Sequence, residues 1–204
     1  MKVSLTDIRS LLAFPATYRL FSSLVGGFAH QLYVEKYIRP RDGDKILDVG
    51  CGPGDILELL PRVEYLGFDM NQKYIESAIK RFGNRGTFVC KKLSGKLSKE
   101  LSTFDIILAT GILHHLDNDE AIQLFELAQS KLKPGGRLIT LDGCYEKKQS
   151  LIARFLLSID RGRYVRTKDQ YLALSSKIFT NIKASIHQDL LRIPYTLIIM
   201  ECTE

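Results

Sequence analysis

The chain has 204 residues, 45% hydrophobic and 25% charged, ordinary proportions for a globular protein, and its length suits one domain with a sizeable core. Lys and Arg outnumber Asp and Glu 29 to 23, a net charge of +6; this favours phosphorylated or acidic partners, but the basic residues are scattered, without the aromatic-studded stripe of a nucleic-acid groove. Cys51, Cys90, Cys144 and Cys202 form no C-x-x-C pair, which argues against a zinc site or a disulfide scaffold and for reduced thiols in a cytoplasmic protein.

Asp7, Arg9 and Pro15 interrupt the first apolar residues, so no signal peptide is expected. No apolar run reaches the roughly 18 residues of a membrane span, so no stable membrane insertion is expected. Residues 16–38 read as helical, with Leu20, Phe21, Leu24, Phe28, Leu32 and Tyr33 recurring at three- and four-residue steps. Gly26 and Gly27 kink or split that segment, and Pro40 with the turn at 41–44 stops it. Tyr18, Arg19 and His30 are its polar members; Tyr18 and Arg19 are candidates for the substrate side if the segment folds over a ligand.

An alternation of strand and helix follows. Strands are expected at 45–49, 64–68, 87–90, 104–109 and 137–141, and helices at 55–60, 72–82 and 119–132. The strands are apolar throughout, as in Ile106-Ile107-Leu108, which implies a parallel sheet covered on both faces. Beyond Asp142 the rhythm changes: helices at 149–159 and 168–177 flank a polar turn at 160–166. Two strands at 179–186 and 195–201, joined through Pro194, suggest an antiparallel pair at one edge. The fold class expected is α/β, a Rossmann-like doubly wound sheet, mostly parallel, with that C-terminal pair. The division expected is one domain over 1–204: an N-terminal helical lid at 1–40, a ligand-binding core at 41–142, and substrate-side helices and edge strands at 143–204.

The strongest signal is Asp48-Val49-Gly50-Cys51-Gly52-Pro53-Gly54, where a strand ends in a glycine-rich turn. Glycines allow positive φ and close approach of a ligand to the backbone, and the ligand belongs outside the carboxyl ends of the strands. A dinucleotide fingerprint would read G-x-G-x-x-G. G-x-G-x-G behind Asp48 instead suits a ligand carrying an ammonium group and a sulfonium. Asp69 ends the second strand, 19 residues after Gly50, where a carboxylate can accept hydrogen bonds from both hydroxyls of an unphosphorylated ribose.

These motifs, with Phe104-Asp105-Ile106-Ile107, Leu113-His114-His115-Leu116 and Leu132-Lys133-Pro134-Gly135-Gly136-Arg137-Leu138 in that order, resemble the class I S-adenosylmethionine-dependent methyltransferases over about half the chain, including small bacterial members of uncharacterised substrate. The resemblance implies S-adenosyl-L-methionine as cofactor and S-adenosyl-L-homocysteine as product. It implies that Asp48 holds the amino end of the cofactor, that Gly50, Cys51, Gly52 and Gly54 shape the turn beneath its methionine portion, and that Asp69 binds the ribose. Met70 would pack on the adenine, Leu93 would neighbour it, and Thr110 and Gly111 would lie beside the cofactor. Where relatives often carry an acidic residue for the adenine amino group, this chain has Lys91-Lys92; a charged Lys92 cannot accept that hydrogen bond.

His114 and His115 are the catalytic candidates, since histidine can act as a general base near neutral pH; the alternative is that one packs beneath the loop and the other hydrogen-bonds it. Asp142 either faces the substrate or caps its turn. Arg161, Arg163 and Arg166 either clamp an anionic substrate group or stay solvated. No Asn/Asp-Pro-Pro-Tyr/Phe motif follows the fourth strand, where Thr110-Gly111-Ile112-Leu113 stands. That speaks against a nucleic-acid substrate and for a small-molecule acceptor methylated on O, N or C. The rival readings are a non-catalytic cofactor-binding module and a nicotinamide-dependent oxidoreductase. Sequence leaves the oligomeric state open.

Overall fold

The computed structural model describes residues 29–93, 100–159 and 162–204; Tyr18, Arg19, Gly26, Gly27 and Arg161 lie outside them. Helix α1 (Ala29–Leu32) runs into a π-helical turn at Tyr33–Ile38, which buries Tyr33, Val34, Tyr37 and Ile38. Arg39 ends it in the left-handed region at φ 45°, its amide bonded to the Val34 carbonyl, and the proline that follows cannot continue a helix.

The sheet runs β3 (Gly86–Cys90), β2 (Glu64–Asp69), β1 (Lys45–Val49), β4 (Phe104–Thr110), β5 (Leu132–Tyr145), β8 (Leu197–Thr203), β7 (Asn181–His187). The first five are parallel to one another; β8 is antiparallel to both β5 and β7. Alternate side chains point to opposite faces of a strand, so the unbroken apolar runs feed two cores. Leu47, Ile107 and Ala109 pack with Phe125 on one face, while Ile46, Ile106 and Leu108 pack with Ile38 and Ala78 on the other.

Helix α2 (Gln72–Phe82) opens on Asn71, whose side chain accepts the Lys73 amide at 3.0 Å, and it buries Ile75, Ala78 and Phe82. Helix α3 (Asn118–Lys131) begins with a capping box between Asp117 and Glu120 and buries Ala121, Leu124, Phe125 and Ala128; the box satisfies two amides that a helix start leaves open. Helices α4 (Leu151–Ser158) and α5 (Lys168–Ser175) are capped by Ser150 and Thr167.

Three expectations need correction. The segment at 55–60 is a single 3-10 turn, Asp55–Glu58, because Pro61 disfavours helical geometry in the residue before it. Strand β5 is far longer than 137–141, since its early part pairs with Phe104 and its end carries β6 (Arg166–Thr167) alongside Cys144 and Tyr145. The polar turn at 160–166 therefore ends in a strand, with Arg166 buried. No helix among the described residues is long and apolar enough to cross a membrane.

Candidate active site

The direction of strand succession reverses at β1, which pairs with β2 on one side and β4 on the other. The crevice outside their carboxyl ends is where an open α/β sheet takes a ligand, and most of the residues singled out from sequence meet there.

Asp48 stands one residue from the end of β1 and is buried. Tyr65 Oη donates to its Oδ2 at 2.6 Å, while Oδ1 has no hydrogen-bond partner among the described residues. Burial pushes the carboxyl up to about 7; the Tyr65 bond works against that rise, and the Asp69 charge adds to it. Burial likewise pushes the Tyr65 phenol well above its ordinary value.

The turn that follows is held by Phe68, whose carbonyl accepts the Gly50 and Cys51 amides at 2.8 and 2.9 Å. Gly50, Gly52 and Gly54 all have positive φ, at 78°, 55° and 75°, but for different surroundings. A Cβ on Gly50 would lie 2.9 Å from Ile112 Cδ1 and one on Gly54 would lie 3.0 Å from Phe88, whereas one on Gly52 would meet nothing within 4 Å among the described residues. Gly50 and Gly54 thus answer to packing, and Gly52 faces open space. Cys51 is buried, its thiol pushed up by burial.

Asp69, at the end of β2, accepts the Gly52 amide on Oδ2 at 2.9 Å and the Asn71 amide on Oδ1 at 2.7 Å. It fixes the glycine turn against the second strand, and each oxygen keeps a further lone pair. Met70 beside it is 72% exposed. Leu93 is half-buried against the core. Lys92 reaches away to α3, pairing with Glu120 at 2.7 Å.

Thr110 ends β4, and Gly111 turns the chain at φ 68° with its amide on the Leu141 carbonyl. Thr110 Oγ1 lies 3.1 Å from the hydroxyl of Tyr33, which is buried in the π-helical turn. Burial raises the Tyr33 phenol; the Thr110 bond opposes this, and the charges of Asp48 and Asp142 reinforce it. Tyr33 therefore ties the N-terminal helix to the site, 77 residues away in sequence. Nothing in its spacing distinguishes it from an ordinary packing residue.

The 3-10 turn Leu113–His115 follows. His114 Nδ1 lies 2.8 Å from Asp142 Oδ1, which also accepts the His114 amide at 3.2 Å. Both residues are buried, and Asp142 Oδ2 has no hydrogen-bond partner among the described residues. Burial raises the Asp142 carboxyl, with the His114 contacts working against it. His115 is exposed, its ring centroid 4.2 Å from that of His114. The two histidines thus divide: His114 is buried and bonded, and His115 lies at the surface.

Arg166 is not a substrate clamp. Its guanidinium donates to the carbonyls of Leu113, Leu116 and Tyr164 and to Asn118 Oδ1. It locks the loop that carries His114. Arg163, three residues earlier, is exposed. A separate cavity of about 700 Å³, lined by Lys45, Glu64, Arg85 and Thr87, opens at the amino ends of the strands. It lies opposite the glycine turn.

Residues 46–136 match the methyltransferase domain family. An uncharacterized methyltransferase of Schizosaccharomyces pombe is 32% identical over 117 residues, 51% of this chain and 41% of that protein, so the chain spans less than half the length of that relative. The fold is similar to an O-methyltransferase family protein of Burkholderia thailandensis, with a TM-score of 0.69, 18% identity, and coverage of 97% of this chain and 61% of the other. It is also similar to phosphoethanolamine N-methyltransferase 2 of Haemonchus contortus, solved with phosphomonomethylethanolamine and S-adenosylhomocysteine, with a TM-score of 0.66, 20% identity, and coverage of 92% and 47%. The family match falls on the stretch that contains the glycine turn, the Asp69 strand end and the reversal of strand order, and over that stretch the chain is similar to the class I S-adenosylmethionine-dependent methyltransferase domain.

Proposed function

We propose that this chain binds S-adenosyl-L-methionine in the crevice above β1 and β4 and moves its methyl group to a small-molecule acceptor by direct displacement. The observation that carries the reading is the pair of carboxylates across the glycine turn. Asp48 has a buried oxygen without a partner among the described residues, and Asp69 is braced by the Gly52 and Asn71 amides. A buried carboxylate oxygen left unpaired is costly, and an ammonium group is the donor that would satisfy it. Gly52 faces open space where a side chain would intrude on a ligand.

In this assignment Asp48 holds the amino end of the cofactor and Asp69 the ribose. Gly50, Cys51, Gly52 and Gly54 shape the floor, Met70 and Leu93 flank the adenine, and Thr110 and Gly111 line the side toward the acceptor. The bound cofactor supplies a methyl group already activated by a positive sulfur. The protein's task is to hold the acceptor in line and exclude water, and such positioning is worth roughly 7–11 kcal/mol in favourable cases. For an acceptor that must lose a proton, His114 is the base, and Asp142 orients its ring and stabilises the charge it gains. The phosphoethanolamine enzyme's small bound ligand supports a small-molecule acceptor here; the atom methylated is O, N or C.

Calorimetric titration with S-adenosyl-L-methionine tests the assignment, with Asp69→Ala in parallel. Saturable binding weakened by the substitution supports it. A folded, ligand-free chain that does not bind overturns it, and binding without turnover across a broad acceptor panel favours a non-catalytic binding module.

A further inference from the structure

Helix α4 is out of place on a protein surface bathed only in water. Its eight residues, from Leu151 to Ser158, include no acid. It turns Ala153 and Leu157 inward, and leaves Leu151 85%, Ile152 60% and Phe155 61% exposed. These three side chains fall on one side of the helix, at steps of one, three and four residues, so they form a stripe and not scattered singles. Single exposed apolar residues are ordinary, but a contiguous patch marks a surface that meets something apolar.

The surroundings of the stripe indicate its partner. Lys147 and Lys148 stand exposed just before the helix, and Arg154 is exposed within it, its guanidinium 5.5 Å from the Tyr145 ring. Arg163 and Tyr164 are exposed in the loop that follows. The carboxylate that precedes the helix most closely in sequence, Glu146, is half-buried, and its Oε1 accepts the Lys147 amide. An apolar stripe with an aromatic residue at its centre and cations on its rim complements one environment in particular, the headgroup layer of an anionic bilayer. A second copy of the chain would place these cations against their own kind.

We infer that α4 is a membrane-surface docking element, seating Leu151, Ile152 and Phe155 among lipid chains while Lys147, Lys148 and Arg154 meet anionic headgroups. The helix starts six residues beyond the end of β5, at the same end of the sheet as the glycine turn. Docking there brings the mouth of the crevice to the lipid–water boundary, where an amphiphilic acceptor would be concentrated. The surface contact itself requires neither cofactor nor catalysis.

The test is co-sedimentation of the full chain with vesicles of phosphatidylcholine, alone or mixed with phosphatidylglycerol, at low and high salt. The chain should bind the mixed vesicles and be released by salt. Phe155→Ser should weaken binding about tenfold through lost apolar burial, and Lys147→Glu and Lys148→Glu by at least roughly fivefold each. Calorimetric cofactor affinity and melting temperature, measured on the same variants, should stay unchanged, which separates failure here from failure of the cofactor assignment. Absence of binding to mixed vesicles, or binding that ignores all three substitutions, overturns the inference. So does concentration-dependent dimerisation that Phe155→Ser abolishes, because a second copy would then be the occupant.

Discussion

Asp142 Oδ1 receives His114 twice, from ring Nδ1 at 2.8 Å and from the backbone amide at 3.2 Å. One carboxylate oxygen thus sets both the position of the 3-10 turn and the rotation of the imidazole on it. Asp142→Asn keeps an acceptor for both donors but removes the charge that stabilises a protonated ring. For a proton-losing acceptor, kcat should fall about a hundredfold with little change in KM. Steady-state kinetics on the two proteins decide this; an equal rise in KM at constant kcat would make Asp142 a binding residue only.

Asp48 gives the unliganded protein a pH dependence whose sign can be worked out. Its folded pKa, about 7, lies above the roughly 3.9 of an unfolded aspartate. The contribution to stability is therefore complete below about pH 4, is lost as pH rises toward 7, and changes no further above that. Asp48→Asn should flatten this slope and raise the melting temperature of the unliganded protein at pH 8. Cofactor affinity in the same variant should drop, and in the unsubstituted chain it should weaken as pH falls below about 7. Thermal melts at pH 5 and pH 8, with titrations at the same two values, check both halves; a variant that melts lower at pH 8 would contradict the assignment.

Gly50 and Gly52 share a backbone conformation and differ in their neighbours, so their alanine variants should separate stability from binding. Gly52→Ala pays only the left-handed backbone penalty, about 1–2 kcal/mol, and places its methyl in the open space above the turn. It should fold and lose cofactor affinity. Gly50→Ala adds overlap with Ile112, a further ~1–3 kcal/mol. Urea unfolding and cofactor titration together separate the two, and equal effects on both would refute this division.

Arg166 spends its guanidinium on three carbonyls and the Asn118 side chain. Removing it leaves those acceptors without their donor. Arg166→Ala should cost about 3 kcal/mol in urea unfolding. Lysine should rescue little of it, because a single ammonium cannot reproduce the fork of a guanidinium. Full rescue by Arg166→Lys would mean that charge alone matters there.

The strands were legible because burial on both faces writes itself as unbroken apolar runs, and the glycine turn because positive φ and close approach demand glycine. The position of Asp69 was legible because it depends only on where the second strand ends. What could not be read depends on contacts between distant segments. The bond between Tyr33 and Thr110 spans 77 residues, and the Arg166 contacts to the Leu113 and Leu116 carbonyls span 53 and 50. Lys92 reads as an obstacle to adenine recognition until its partner Glu120, on α3, is placed. The short turn after Gly54 is hidden in the sequence because the apolar periodicity of Ile56, Leu57 and Leu60 mimics the start of a longer helix.

The last two strands join the sheet in reverse of their chain order. β8 pairs with β5, and β7 reaches the rest of the sheet through β8. A ribosome therefore delivers β7 before the strand it must lie against exists, and its main-chain groups stay with water until the later segment has emerged and docked. A chain interrupted between them would carry a bare margin along β5, a ready template for the wrong strand from another molecule.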